Sequence, residues 1–223
     1  AAKLAIHCGA HVLISDPSQS DIVKSRGEEL SEIGISVELG GHTESIYDAD
    51  LWILSPGVPK NAQIVIRALA KKITIVGEIE FASWFTESPI IAVTGSNGKT
   101  TTVNILTAMC QTDSTHGVLA GNVGSAFSKH VLDEIKNPDP NRVYILEISS
   151  FQMEFIQHFH PNISVFLNIT PDHLDRHGSM AEYTSSKMNM CQNQGESDTI
   201  IYNGDDPILT EQLNNVSSQI RIF

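Results

Sequence analysis

The chain has 223 residues, enough for one large domain or two small ones, and 41% hydrophobic with 18% charged residues suits a sizeable buried core. A formal net charge of -12 argues against broad binding to nucleic acid or to an anionic membrane surface. No apolar run approaches membrane-spanning length and no secretory signal opens the chain, so a soluble protein is expected.

Cys8, Cys110 and Cys191 are scattered and form no C-x-x-C pair. They suit a reducing compartment and small packed core positions better than nucleophilic ones. Ala1–Cys8 reads as the later part of a helix ending at Gly9, with more of the protein expected upstream of it. His11–Asp16 reads as a strand ending in an acid, and Glu28–Ile33 as a helix stopped by Gly34. Ile35–Leu39 alternates as a strand, and Leu51–Leu54 is a buried strand ending in the turn Ser55-Pro56-Gly57. Asn61 is expected to cap a helix through Lys71, with Ile64, Ala68 and Leu69 on one face. Ile73–Val76 reads as a strand and Gly77–Phe85 as a helix or turn, and Glu87-Ser88-Pro89 reads as a domain boundary. Strands that alternate with helices imply parallel sheets with ligands at the C-terminal strand ends.

The rest is organised around Ile90–Val103. An apolar strand, Ile90–Val93, breaks at Thr94-Gly95, and Gly98-Lys99-Thr100-Thr101 opens a segment of helical spacing. A strand, a glycine turn and a helix start make an anion site. Backbone N–H groups point inward, the helix end adds partial positive charge and the lysine adds a full one. The Thr100 hydroxyl sits where a phosphate-bound magnesium needs an oxygen. The loop reads T-G-x-x-G-K-T-T; the first glycine of G-x-x-x-x-G-K-[ST] is replaced by Val93, so the strict pattern fails.

Later strands are expected at Gly117–Ala120, Val143–Leu146, Ile163–Leu167 and Thr199–Tyr202, with another beginning at Gln219. The first ends in the polar turn Gly121-Asn122-Val123-Gly124. The second ends at Glu147, and the third leads to Asp172-His173-Leu174-Asp175, whose acids could cap the helix that follows. Ser179–Met190 has helical character and carries Lys187. Parallel topology would gather Glu147 and His173 beside the Lys99 loop, where they could complete a magnesium–nucleotide site. A histidine in such a place is otherwise a helix cap or a core hydrogen-bonder, and Asp16 could bind a ribose or base or simply cap a helix or the turn before Pro17.

Taken in order, Thr-Gly-Ser-Asn-Gly-Lys-Thr-Thr, Gly-Asn-Val-Gly, Glu-Ile-Ser-Ser-Phe-Gln-Met-Glu, Leu-Asn-Ile-Thr-Pro-Asp-His-Leu-Asp-Arg-His and Tyr-Thr-Ser-Ser-Lys resemble the Mur ligases of peptidoglycan synthesis. Ser149-Ser150-Phe151-Gln152, Ser55-Pro56-Gly57-Val58 and Gly77-Glu78-Ile79-Glu80 are most similar to the member that adds D-glutamate. The resemblance implies an α/β chain in two parts: a truncated Rossmann-like UDP-substrate domain at 1–88 and a truncated central P-loop domain at 89–223. It implies a cytoplasmic, ATP- and Mg2+-dependent ligase that joins D-glutamate to UDP-N-acetylmuramoyl-L-alanine through an acyl phosphate.

In that scheme Gly95, Ser96, Asn97, Gly98, Lys99, Thr100 and Thr101 bind ATP, and Lys99 stabilises the transferring phosphoryl group. Thr100 and Glu147 hold a first magnesium; His173 and Lys187, the latter as a carbamate, hold a second. Asn122, Ser149 and Gln152 contact the UDP-muramoyl substrate, Asp16 its uracil end, and Ser55 and Gly57 line the N-terminal site. The family's N-terminal glycine loop and C-terminal domain have no counterpart in this sequence, so these 223 residues alone are expected to lack ligase activity. The competing expectations are a folylpolyglutamate-type ligase, and a P-loop kinase or non-catalytic nucleotide-binding module.

Overall fold

The computed structural model describes residues 1–223. In chain order the elements are α1 (Ala2–His7), β1 (Leu13–Asp16), α2 (Asp21–Glu32), β2 (Ser36–Leu39), β3 (Leu51–Leu54), α3 (Gln63–Ala70), β4 (Thr74–Gly77) and α4 (Glu78–Ser83). There follow β5 (Ile90–Thr94), α5 (Lys99–Met109), β6 (His116–Gly121), α6 (Phe127–Lys136), β7 (Arg142–Glu147), β8 (Ile163–Phe166), α7 (Leu174–His177), α8 (Met180–Met188), β9 (Thr199–Tyr202), α9 (Pro207–Leu213) and β10 (Gln219–Ile222).

Every strand pairing is parallel. The second half forms one six-stranded sheet in the order β10-β9-β8-β5-β7-β6, so the expected strands Ile90–Val93 and Val143–Leu146 are neighbours. Register fixes what lies at its edge. Val93 sits opposite Glu147, Glu147 opposite Gly121, and Thr94 opposite Phe166. The turns after β5, β6, β7 and β8 therefore emerge side by side. Gly121 is required there: its φ is +102°, and a Cβ would stand 2.3 Å from the Glu147 carbonyl oxygen. The first half is also parallel, in two pieces, β1-β2 and β3-β4.

One apolar cluster runs through both halves. Leu4, Val76, Ile79 and Phe81 belong to it together with Ile90, Phe127, Tyr144 and Phe166. Glu80 reinforces the joint. Its fully buried carboxylate accepts the backbone N–H groups of Gln157, His158 and Phe159 at 2.8–3.1 Å and the Trp84 indole N–H at 2.8 Å. The linker is pinned too: Thr86 and Ser88 both donate to Glu134 on α6, which also accepts the Tyr144 hydroxyl.

Several local expectations change. Helix α2 starts at Asp21 rather than Glu28, with the Ser20 hydroxyl accepting the Val23 N–H at 3.4 Å; the apolar residues of its first turns, Ile22 and Val23, are adjacent rather than three or four apart, so no helical spacing reveals them. Asn61 is not the cap of α3, which begins after Ala62 without a side-chain bond, and its buried face is Val65 and Ala68 while Leu69 is half exposed. Asp172 and Asp175 do not cap α7; His173 occupies the cap position without a side-chain bond. Helices α6 and α9 fall where no helix was expected.

Candidate functional site

The loop after β5 turns from Thr94 to Gly98, whose left-handed φ of +85° starts α5. That conformation carries no Cβ penalty in glycine, and it aims the first N–H groups of an eleven-residue helix at the loop. The loop is braced from β8. The Ser96 N–H donates to the Asn168 carbonyl at 2.9 Å and the Asn97 N–H to the Asn168 side-chain oxygen at 2.9 Å. The Ser96 hydroxyl donates to the Thr170 carbonyl at 2.8 Å and lies 2.9 Å from the Tyr183 hydroxyl. Lys99 folds back, its ammonium donating to the carbonyls of Gly95 at 2.8 Å and Ser96 at 3.0 Å.

Glu147 arrives at the end of β7. One carboxylate oxygen accepts the Thr100 hydroxyl at 2.7 Å and the other the Asn122 amide at 2.8 Å. The residue is 2% exposed, yet no ion pair involves it. A buried carboxylate held only by neutral donors, beside a threonine oxygen, is the donor set a hard divalent cation fits. No group of three or more His, Cys, Asp or Glu side chains converges anywhere in the chain. Magnesium suits this poverty, because it keeps waters and binds through one or two carboxylates plus phosphate oxygens.

Lys187 reaches the loop from α8. It is 2% exposed and donates to the Gly95 carbonyl at 3.0 Å and the Thr94 hydroxyl at 3.4 Å, with its ammonium 4.7 Å from the centre of the Tyr183 ring. Neither solvent nor Glu182 is its partner. Burial first, then the nearby Lys99 charge, lowers its pKa to about 7, against an opposing pull from Asp172.

His173 has a left-handed φ of +50°, rare for a residue with a side chain. Its side chain is 55% exposed, with Nε2 3.6 Å from an Asp172 oxygen. It makes no direct bond to Lys187, although only α7, Gly178, Ser179 and part of α8 separate the two. Ser149 and Gln152 bond to each other: the Gln152 side-chain oxygen accepts both the N–H and the hydroxyl of Ser149, at 3.0 and 3.1 Å. Asp16 accepts the Ser18 N–H at 2.8 Å, a turn that leaves its second oxygen free of protein partners. Ser55 and Gly57 lie in a tight turn closed by the Val58 N–H on the Ser55 carbonyl at 2.9 Å.

Thus Gly95–Thr101, Asn122, Glu147 and Lys187 are joined through direct contacts. Asp16, Ser55 and Gly57 belong to the first half's own turns. The bracing groups Asn168 and Tyr183 stand in the quoted sequence motifs, but their role needs the β8–β5 neighbourhood to become visible. Arg176 carries no local signal, because its partners Val58, Phe151 and Glu154 are remote in sequence.

The model of the Mur ligase middle domain matches residues 93–223. A UDP-N-acetylmuramoylalanine–D-glutamate ligase from Salinibacter ruber is 42% identical over 212 residues, covering 92% of this chain and 45% of that protein. The protein of the same name from Pelotomaculum thermopropionicum is 38% identical over 226 residues, covering 100% of this chain and 48% of that protein. The chain thus spans about half the length of these curated relatives. Among solved structures, a UDP-N-acetylmuramate:L-alanyl-gamma-D-glutamyl-meso-diaminopimelate ligase from Neisseria meningitides has the same fold, with a TM-score of 0.65 at 18% identity over 100% of this chain and 72% of that one. MurF ligase from Thermotoga maritima, solved with ADP, gives 0.55 at 16% identity over 95% and 48%. No helix is long and apolar enough to cross a membrane. The lysine-bearing loop, the Thr100–Glu147 pair and the family match over residues 93–223 lead to one conclusion: the chain belongs to the Mur ligase family.

Proposed function

We propose that this chain carries the acceptor side and the phosphoryl-transfer centre of a cytoplasmic, ATP-dependent ligase that joins D-glutamate to UDP-N-acetylmuramoyl-L-alanine. The observation that carries the reading is the Thr100–Glu147 contact at the head of a lysine-bearing loop, in a chain about 40% identical to proteins of that name. Residues 1–88 would serve the UDP end of the acceptor, and residues 89–223 would serve ATP.

The acceptor carboxylate attacks the γ-phosphorus and ADP leaves, giving an acyl phosphate. The D-glutamate amine then attacks the acyl carbon, phosphate leaves, and the amine loses a proton. Lys99 is the group whose charge follows the transferring phosphoryl oxygens; to do so it must release the carbonyls of Gly95 and Ser96. Thr100 and Glu147 would hold magnesium, which supplies neutralisation of phosphate charge. His173 and Lys187 would serve a second ion. The Lys187 amine, buried and with its pKa near 7, can be neutral; it can then add to carbon dioxide and release one proton to become an anionic carbamate. Asn122, Ser149 and Gln152 would meet the muramoyl part, Asp16 the uracil, and Ser55 and Gly57 the N-terminal part of the site. Gly95–Thr101 would cradle the ATP phosphates.

The test is ADP release by the purified full-length protein. It should require UDP-N-acetylmuramoyl-L-alanine, D-glutamate and Mg2+ together. Release driven by a folate and L-glutamate would assign the chain to the folylpolyglutamate-type ligases, and ATP binding without turnover would make it a nucleotide-binding module.

A further inference from the structure

Arg176 connects three segments that are far apart in sequence. Its guanidinium donates to the Val58 carbonyl at 3.3 Å and lies 3.7 Å from a carboxylate oxygen of Glu154. It also packs over the Phe151 ring, 4.0 Å from the centroid. The Phe151 ring stacks on His177 with centroids 5.0 Å apart at 11°, and His177 Nε2 is 2.9 Å from the Ser150 hydroxyl. The Arg176 and Glu154 side chains are only 20% and 6% exposed.

The sequence positions matter. Val58 directly follows the turn Ser55–Gly57. Phe151 lies between Ser149 and Gln152, and Glu154 follows two residues after Gln152. Arg176 itself lies three residues after His173, on the short helix α7. One guanidinium thus touches the candidate acceptor turn of the first half and the candidate acceptor turn of the second. It also belongs to the helix that His173 begins.

We infer that Arg176 is a positioning residue for the acceptor substrate, holding the Ser55–Val58 turn in register with the Ser149–Glu154 turn and tying the His173 helix to both. The inference rests on the ligase reading given above. Arginine suits the task because a planar guanidinium offers a face to Phe151 while its edge serves two oxygens at once. Lysine keeps the charge but cannot do both. Burial raises the Glu154 pKa and the Arg176 charge opposes that rise, so the guanidinium favours the charged carboxylate. An acceptor that spans both halves needs them in fixed register, and a misplacement of about 1 Å can cost about a hundred-fold in rate.

The experiment compares Arg176→Lys, Arg176→Ala and Phe151→Leu with wild type, as full-length proteins, by steady-state kinetics and thermal melting. In Arg176→Lys and Arg176→Ala the KM for UDP-N-acetylmuramoyl-L-alanine should rise about ten-fold or more, with the KM for ATP within about two-fold of wild type. Phe151→Leu, which leaves the ion pair, should shift the same KM in the same direction. A purely structural arginine would lower the melting temperature without singling out one substrate. If Arg176→Ala does not fold, Arg176→Lys and Phe151→Leu decide. An active wild type whose Arg176→Lys keeps the acceptor KM, or raises both KM values equally, overturns this inference alone. A wild type without acceptor-dependent ADP release overturns the ligase reading, and this inference with it.

Discussion

The Thr100 hydroxyl donates to Glu147 across 2.7 Å, joining the first turn of a helix to the end of the strand two positions along the sheet from β8. Nothing cationic neutralises that carboxylate within the chain. Glu147→Gln keeps the shape and removes the charge. On the proposed reading it should lower turnover of the full-length protein about a hundred-fold or more and raise the magnesium concentration needed for half-maximal rate. Magnesium titration of the steady-state rate is the measurement; an unchanged titration would remove Glu147 from the metal site.

Lys99→Ala should lower kcat about 10²- to 10³-fold, with a smaller change in the KM for ATP. The reason is structural. The ammonium is satisfied by two loop carbonyls, so its net gain comes as charge moves onto the phosphoryl oxygens. Near-normal kcat with only a raised ATP KM would contradict this.

Lys187→Ala should be nearly inactive and partly rescued by small carboxylates such as acetate, which can replace the oxygen ligand a carbamate would supply. Carbon-13 NMR of the wild type in labelled bicarbonate should show a carbamate resonance that the variant lacks. Wild-type activity in Lys187→Ala would end the idea.

Burial of Lys187 also has a consequence for stability. Its folded pKa of about 7 lies below the ordinary lysine value of 10.5, so between those values the unfolded chain binds the extra proton. Stability attributable to this group therefore rises with pH from about 7 to about 10.5 and is flat outside that window. The difference in unfolding free energy between Lys187→Met and wild type should shrink across that range by about 3–5 kcal/mol. Denaturant melts of this chain at pH 7 and pH 10, without carbon dioxide, check the sign.

Glu80→Ala leaves four N–H groups without their acceptor and should destabilise the chain by about 3 kcal/mol or more. Glu80→Gln should be intermediate, since it keeps one oxygen but sets an amide N–H2 against donors. Urea titration followed by tryptophan fluorescence is suitable, because Trp84 is one of those donors.

Much of the site could be read from local sequence. Strand, glycine turn and helix start are short-range signals, and β5 with α5 appears where they point. The place of Glu147 at the end of an apolar strand was legible as well, and β7 ends there. What escaped was either weakly patterned or remote. Helix α6 does have apolar spacing, with Phe127, Val131 and Leu132 buried, but it sits between a glycine turn and a proline-rich loop that dominate the reading. Helix α9 is short, and its Asp206 cap followed by Pro207 looks like another turn. The three backbone partners of Glu80 lie more than 70 residues away, and Arg176 meets Phe151 and Glu154 more than 20 residues away and Val58 more than 100. No local pattern encodes such pairs; only the packed sheet brings them together.

The apolar cluster that crosses Pro89 makes the covalent boundary and the mechanical one different things. Cutting the linker near Ser88 would not set two modules free, because Glu80, Leu4 and Ile79 stay embedded in their neighbour's interior. The two halves should melt in a single transition, and a nicked chain should migrate as one particle until denatured. Evolution could therefore exchange the front half among relatives only by redesigning the seam as well, a barrier to shuffling that a loosely tethered pair of domains would not face.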